Sequence, residues 1–315
     1  PLIPDIIEVF SLNLFLAGFL PFSFFVAYGV MSIPAGTMVE KMGEKKVMSM
    51  AFGMSFIGSM LFALFPTFPV AMLSLFLIGL GMAVLQVAIN PLLRTAGGEE
   101  HFAFNSVMAQ LVFGLASYLS PQLYSYLVTN LQDPSAVSSN FIIGFLSKVV
   151  PQNLSWVSLY WSFIPITLIM VVVILAVKFP KVELQEDEKT EAIETYQKLF
   201  KNKTVILYFI GIFAYVGSEQ GVANWISKFL TDYHGFDPKG VGADAVSYFW
   251  GLLTLGCLLG LFLLKVMDSK KVLLIFTAAA MVTLTLALFG TKEISRYAFP
   301  LVGFFASVMW SVIFS

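Results

Sequence analysis

Nine stretches of about twenty mostly apolar residues run through this chain, and they constrain its fold more than any other feature. They cover approximately residues 14–38, 47–64, 68–92, 104–128, 156–177, 204–229, 246–264, 272–289 and 297–315. A bilayer core takes about 20 apolar helical residues to cross. Inside lipid, only helices and closed barrels satisfy their own backbone polar groups. These runs lack the apolar-out, polar-in alternation of barrel strands. They therefore predict an all-α membrane protein. Composition agrees, since 58% of the 315 residues are hydrophobic and 12% are charged, whereas a soluble domain carries about 25% charged residues.

Two segments between spans differ in character. Residues 129–155 are polar but contain Phe141, Ile142, Ile143, Gly144, Phe145 and Leu146 in one run. That run is too short to cross and predicts an interfacial helix. Residues 178–203 hold the densest charge, including Glu183, Glu186, Asp187, Glu188, Lys189 and Glu191. They predict a solvated, partly helical linker between an N-terminal bundle, 1–177, and a C-terminal bundle, 204–315. Alternating the sides through the spans collects Lys41, Lys45, Lys46, Arg94, Lys265, Lys270, Lys271 and the linker lysines on one face. The other face holds few basic residues. The basic side is cytoplasmic by the positive-inside rule, so the linker is cytoplasmic and the protein is multi-pass in the plasma (inner) membrane.

Several function classes are excluded. Cys257 is the single cysteine, so a disulfide framework and a cysteine-ligated metal site are ruled out. A net charge of −1 leaves no basic footprint for nucleic acid. His101 and His234 have no partners at metal-ligand spacing, and no nucleophile arrangement is present. The chain reads as a non-enzyme without cofactor or metal.

Residues 36–46 read Gly-Thr-Met-Val-Glu-Lys-Met-Gly-Glu-Lys-Lys. The pattern G-x-x-x-[DE]-[RK]-x-G-x-[RK]-[RK] resembles the cytoplasmic loop signature of the major facilitator superfamily of transporters. A degenerate copy follows at residues 265–271, again after a second span. The resemblance implies two six-helix bundles related as parallel repeats. Nine of about twelve spans are then present, with the first and the last two lying beyond this sequence. Gly36, Glu40, Lys41, Gly43, Lys45 and Lys46 are implied to gate, with Arg94 near the same side.

A narrower likeness follows. Leu85, Gln86, Ala88, Asn90 and Pro91 resemble the L-E-x-A-x-N-P element of the fucose permease group of sugar porters. His101, Phe102, Asn105 and Gly114 resemble that group's next element, and residues 214–225 and 303–315 resemble its seventh and tenth spans. The resemblance implies import of a hexose or deoxyhexose by alternating access, coupled to a proton or sodium, in a monomer surrounded by lipid. A sugar sensor that does not transport and an exporter of amphipathic compounds are the alternatives. Gln86 replaces the group's membrane acid and cannot titrate.

A sugar site needs hydrogen-bonding amides or carboxylates beside an aromatic platform. Gln86 and Asn90 share a helix face at i, i+4. Gln220, Asn224 and Lys228 form a second polar stripe, with Trp225 adjacent. Asn105, Gln110, Ser307 and Trp310 complete the candidate substrate contacts. Glu219 is the one acid deep within a predicted span. A carboxylate at that depth is a functional candidate by default, here for ion coupling.

Overall fold

Polar residues set where the apolar runs begin as helices, and glycine sets where several end. The structure, a computed structural model, describes residues 2–98, 102–179 and 201–314. The chain forms α1 (Leu2–Val9), α2 (Leu14–Met42), α3 (Glu44–Leu64), α4 (Phe68–Gly97) and α5 (Phe102–Leu131). Two short helices follow, α6 (Pro134–Ser139) and α7 (Phe141–Val149), then α8 (Ser158–Ala176). The remainder is α9 (Lys203–His234), α10 (Ala243–Val266), α11 (Ser269–Phe289), α12 (Lys292–Ala306) and α13 (Met309–Phe314). No strand occurs among the described residues.

Asn13 accepts from the Leu16 amide at 2.8 Å, Asn202 from Thr204 at 3.0 Å, and Asp268 from Lys271 at 3.2 Å. Each bond satisfies an amide that has no partner inside its helix. Gly43 alone separates α2 from α3. Its φ of 76° is left-handed, a conformation that glycine adopts readily because it lacks a Cβ. Its N–H donates to the Val39 carbonyl at 2.9 Å.

Among the described residues, seven helices are long and apolar enough to cross a bilayer. They account for all but two of the predicted spans. The predicted span 104–128 falls on α5, a helix of 30 residues. The predicted span 297–315 is interrupted, because α12 ends at Ala306 and α13 begins at Met309. At the break, the Ser307 hydroxyl donates to the Phe304 carbonyl at 2.6 Å, an alternative to regular helix bonding. The short run beginning at Phe141 is α7, capped by Asn140, with Phe141 90% exposed. The predicted linker lies, over 180–200, outside the described residues, as does His101.

Two compact units are present. One comprises Asp5–Met108 and Leu127–Glu191. In it, α4 packs along α2 and α3, and α3 also packs on α8. Helices in lipid gain little from hydrophobic burial against each other, so close van der Waals contact must hold them. Gly81 provides it, since a Cβ there would lie 2.6 Å from the Ala51 carbonyl oxygen and 2.7 Å from Ser55 Oγ. Phe62 is fully buried, edge-on to Tyr160 at 4.6 Å and tilted against Trp156 at 5.6 Å.

The other unit comprises Pro1–Pro4, Ala109–Tyr126 and Ala192–Ser315. Here α12 packs on α10 and α11, over a core that includes Ile226, Leu230, Phe249, Phe299 and Val302. The middle of α5 belongs to this unit. Gly114 lies against the Thr254 side chain, and Gly251 lies against the Tyr118 ring. Gln122 Nε2 donates to Asp244 Oδ1 at 2.8 Å and to Ser247 Oγ at 3.2 Å. The contacts advance along α5 as they retreat along α10, so the two helices run antiparallel.

Candidate functional site

Polar side chains inside spans are expensive unless they meet protein or a water-filled cavity. The richest such set lies on one helix, α9. Tyr215 and Glu219 are one turn apart, and the Tyr215 hydroxyl donates to Glu219 Oε2. Gln220 Nε2 donates to Glu219 Oε1 at 2.9 Å. Asn224 Nδ2 donates to the Gln220 carbonyl at 2.8 Å. The result is a continuous polar ladder from Tyr215 to Asn224, followed by the half-buried Trp225. These two donors to the Glu219 carboxylate, Tyr215 and Gln220, come from its own helix. The Gln220 amide is thereby oriented with its oxygen directed away from that carboxylate.

Lys228 does not extend this ladder. It pairs with Asp232 at 2.6 Å, an i, i+4 ion pair. Tyr215 and Asp232 were not among the sequence candidates, although each stands four residues from a residue that was. Spacing alone could have found them.

In the other unit, Gln86 accepts a hydrogen bond from the Tyr28 hydroxyl of α2. Asn90 sits on the same helix as Gln86, and Trp310 sits on α13, with both side chains outside the described residues. Gln110 is exposed on α5. Asn105 lies in the first turn of α5, against Gly97 at the end of α4, so it serves the junction of those helices. Ser307 lies at the break between α12 and α13. It is 2% exposed, its hydroxyl is engaged by Phe304, and it packs against Gly256. Its carbonyl accepts from Cys257 Sγ at 3.4 Å.

Among the gating candidates, Gly36 lies within α2, Gly43 is the turn, and Glu40, Lys41 and Lys46 are exposed. Arg94 is half-buried near the end of α4. Lys45 is held differently. Its Nζ donates to the Leu175 and Val177 carbonyls at 2.8 Å each, at the C-terminus of α8. A cation there satisfies orphan carbonyls and opposes the helix dipole, a term of about 0.3–1 kcal/mol. Lys45→Gln should lower the thermal midpoint by about 1–4 °C. Lys46→Gln should leave it unchanged in the same thermal-shift assay. Equal midpoints for both variants would remove the capping role.

An open cleft of about 340 Å³ between α5 and α10 is lined by leucines with Tyr118, Tyr248 and Thr254. Its walls are aliphatic and aromatic, and none of the sequence candidates lines it.

Comparison with known proteins completes the description. The family model of the Major Facilitator Superfamily matches residues 1–315. A glucose/galactose transporter of Brucella abortus biovar 1 (strain 9-941) is 26% identical over 323 residues, covering 100% of this chain and 74% of the relative. The L-fucose-proton symporter of Escherichia coli (strain K12) is 25% identical over 340 residues, with coverage of 100% and 74%. The crystal structure of a Major Facilitator Superfamily transporter, FucP, in the outward conformation superposes with a TM-score of 0.67 at 21% identity. It covers 99% of this chain and 77% of that one.

Proposed function

The chain belongs to the Major Facilitator Superfamily, and on that premise we propose that it imports a small sugar, a hexose or deoxyhexose, by alternating access. The family and the apolar helices make it a multi-pass membrane transporter, not an enzyme. Relatives named for glucose, galactose and L-fucose match the chain along its whole length, which supports the sugar class. The observation that carries the reading is the α9 ladder. A pyranose presents a ring of hydroxyls and an apolar face. Gln220 and Asn224 supply polar partners for the first, and Trp225 supplies a stacking surface for the second. Gln86, Asn90, Gln110 and Trp310 are further candidate substrate contacts in this reading.

The same ladder offers a route to coupling. Glu219 accepts from Tyr215 and Gln220. A proton placed on Glu219 turns one acceptor oxygen into a donor, and a sodium ion takes up the same lone pairs. An ion at Oε1 competes with the Gln220 amide for that oxygen and so alters what Gln220 offers a sugar. A ligand shifts a conformational equilibrium only through different affinity for the two states, and Gln220 is the residue through which ion and sugar would sense each other. In this account an N-terminal bundle, 1–177, and a C-terminal bundle, 204–315, provide the alternating access. The linker 178–203 faces the cytoplasm, in the plasma (inner) membrane, and the working unit is a monomer.

The test is competitive binding of D-glucose, D-galactose and L-fucose to purified protein. Asn224→Ala and Gln220→Ala should each weaken the preferred sugar about threefold to tenfold, the worth of one hydrogen bond to a neutral ligand. Unchanged affinity in both variants would overturn the assignment of the ladder as the sugar site.

A further inference from the structure

We propose that Tyr28 is a positioning residue for substrate, orienting the Gln86 amide so that this position presents only hydrogen-bond donors to the sugar. The inference rests on the sugar-transport reading above and assigns a role to a residue that reading does not use.

The Tyr28 hydroxyl donates to Gln86 Oε1. A glutamine amide has a single acceptor oxygen and an NH₂ group with two donors. With the oxygen engaged by Tyr28, the NH₂ end is the part turned outward. Gln86 is exposed on α4 although it lies in the middle of a span. A polar group there is stable only toward water or protein, so its exposed end is turned to one of these and away from lipid.

Tyr28 is well placed to hold this geometry. The α2–α4 contact is locked below it, where Ser23 Oγ donates to the Met72 carbonyl at 2.7 Å and Ala27 meets Gly79. The Tyr28 ring stacks on Phe24, with centroids 6.3 Å apart and planes inclined by 30°. The ring is half-buried, so its hydroxyl position is set by the stack on Phe24 and by the α2–α4 contact that carries it. A donor-only amide selects a sugar oxygen that accepts. A carboxylate at the same place would select the opposite polarity.

The experiment has two readouts. The first needs no ligand. In protein labelled with ¹⁵N-glutamine, the Gln86 side-chain NH₂ signal is assigned by its loss in Gln86→Glu. It should shift in Tyr28→Phe, and an unmoved signal would overturn the hydrogen bond itself. This readout stands even if the protein binds no hexose, which would count against the functional reading alone. The second readout is competition for transport by deoxy and deoxyfluoro derivatives of D-galactose and D-glucose, one hydroxyl at a time. At the contacted hydroxyl, fluorine still accepts and hydrogen does not, so the fluoro compound should compete better with the parent protein. In Tyr28→Phe the amide is free to turn, so that preference should collapse while KM rises about threefold to tenfold and kcat changes little. Gln86→Glu should abolish the fluoro preference with Tyr28 intact. Retention of the preference and of KM in Tyr28→Phe would contradict the positioning role, because a merely structural tyrosine has no reason to set analogue discrimination.

Discussion

Replacing Glu219 with glutamine is expected to abolish concentrative hexose uptake while leaving exchange of sugar across the membrane. Glutamine keeps the size of the side chain and an oxygen that can accept from Tyr215, the partner of Glu219 one turn back on α9. It cannot take up and release a proton, and it lacks the charge that would hold sodium. Rocking of the loaded protein does not require net ion movement, so exchange survives. Accumulation against a gradient does require it, so accumulation is lost. The measurement compares counterflow with gradient-driven uptake in proteoliposomes. If Glu219→Gln accumulates sugar like the parent, the Tyr215–Glu219–Gln220 bonds are structural and the coupling acid lies elsewhere.

The second large effect concerns packing. Gly81→Val should lower the thermal midpoint by about 2–10 °C, from an overpacking cost of roughly 1–3 kcal/mol. The added Cβ would fall 2.6 Å from the Ala51 carbonyl oxygen, which belongs to the backbone of α3 and cannot rotate away. A comfortable carbon–oxygen contact is about 3.3 Å or more, so α3 and α4 must part along their shared length. Gly53, also on α3, has open space where its Cβ would be. Gly53→Ala should therefore not lower the midpoint. Equal losses at the two positions would show that backbone freedom, and not close approach, is what Gly81 supplies.

What could be read from the sequence divides along a physical line. Hydropathy locates the lipid-crossing part of each helix and says little about where the helix stops. Thus α2 continues through Glu40 and Lys41 to Gly43, and α9 runs on to His234, because charged residues favour helix well enough once lipid no longer matters. The break at Ser307 and Val308 carries no proline, and it arises where Ser307 turns its hydroxyl onto Phe304. Nothing local announces it. The polar stripe on α9 was legible because all of its members share one helix. Its fine structure differed, since Gln220 and Asn224 bond along the helix and Lys228 pairs with Asp232. Contacts between distant residues were beyond reach of spacing. Lys45 finds the end of α8 about 130 residues away, and Tyr28 finds Gln86 across 58.

The central claim is that this chain moves a hexose inward and concentrates it. The direct measurement is uptake of radiolabelled D-glucose, D-galactose and L-fucose into proteoliposomes that hold the purified protein under an imposed proton or sodium gradient. Time-dependent accumulation of at least one of these above its external concentration, abolished by collapsing the gradient, is the result this account predicts. Saturable binding of the same sugars with no entry into the vesicle would mark a sensor, and gradient-driven efflux of amphipathic compounds with no hexose movement would mark an exporter. Either result would contradict the account.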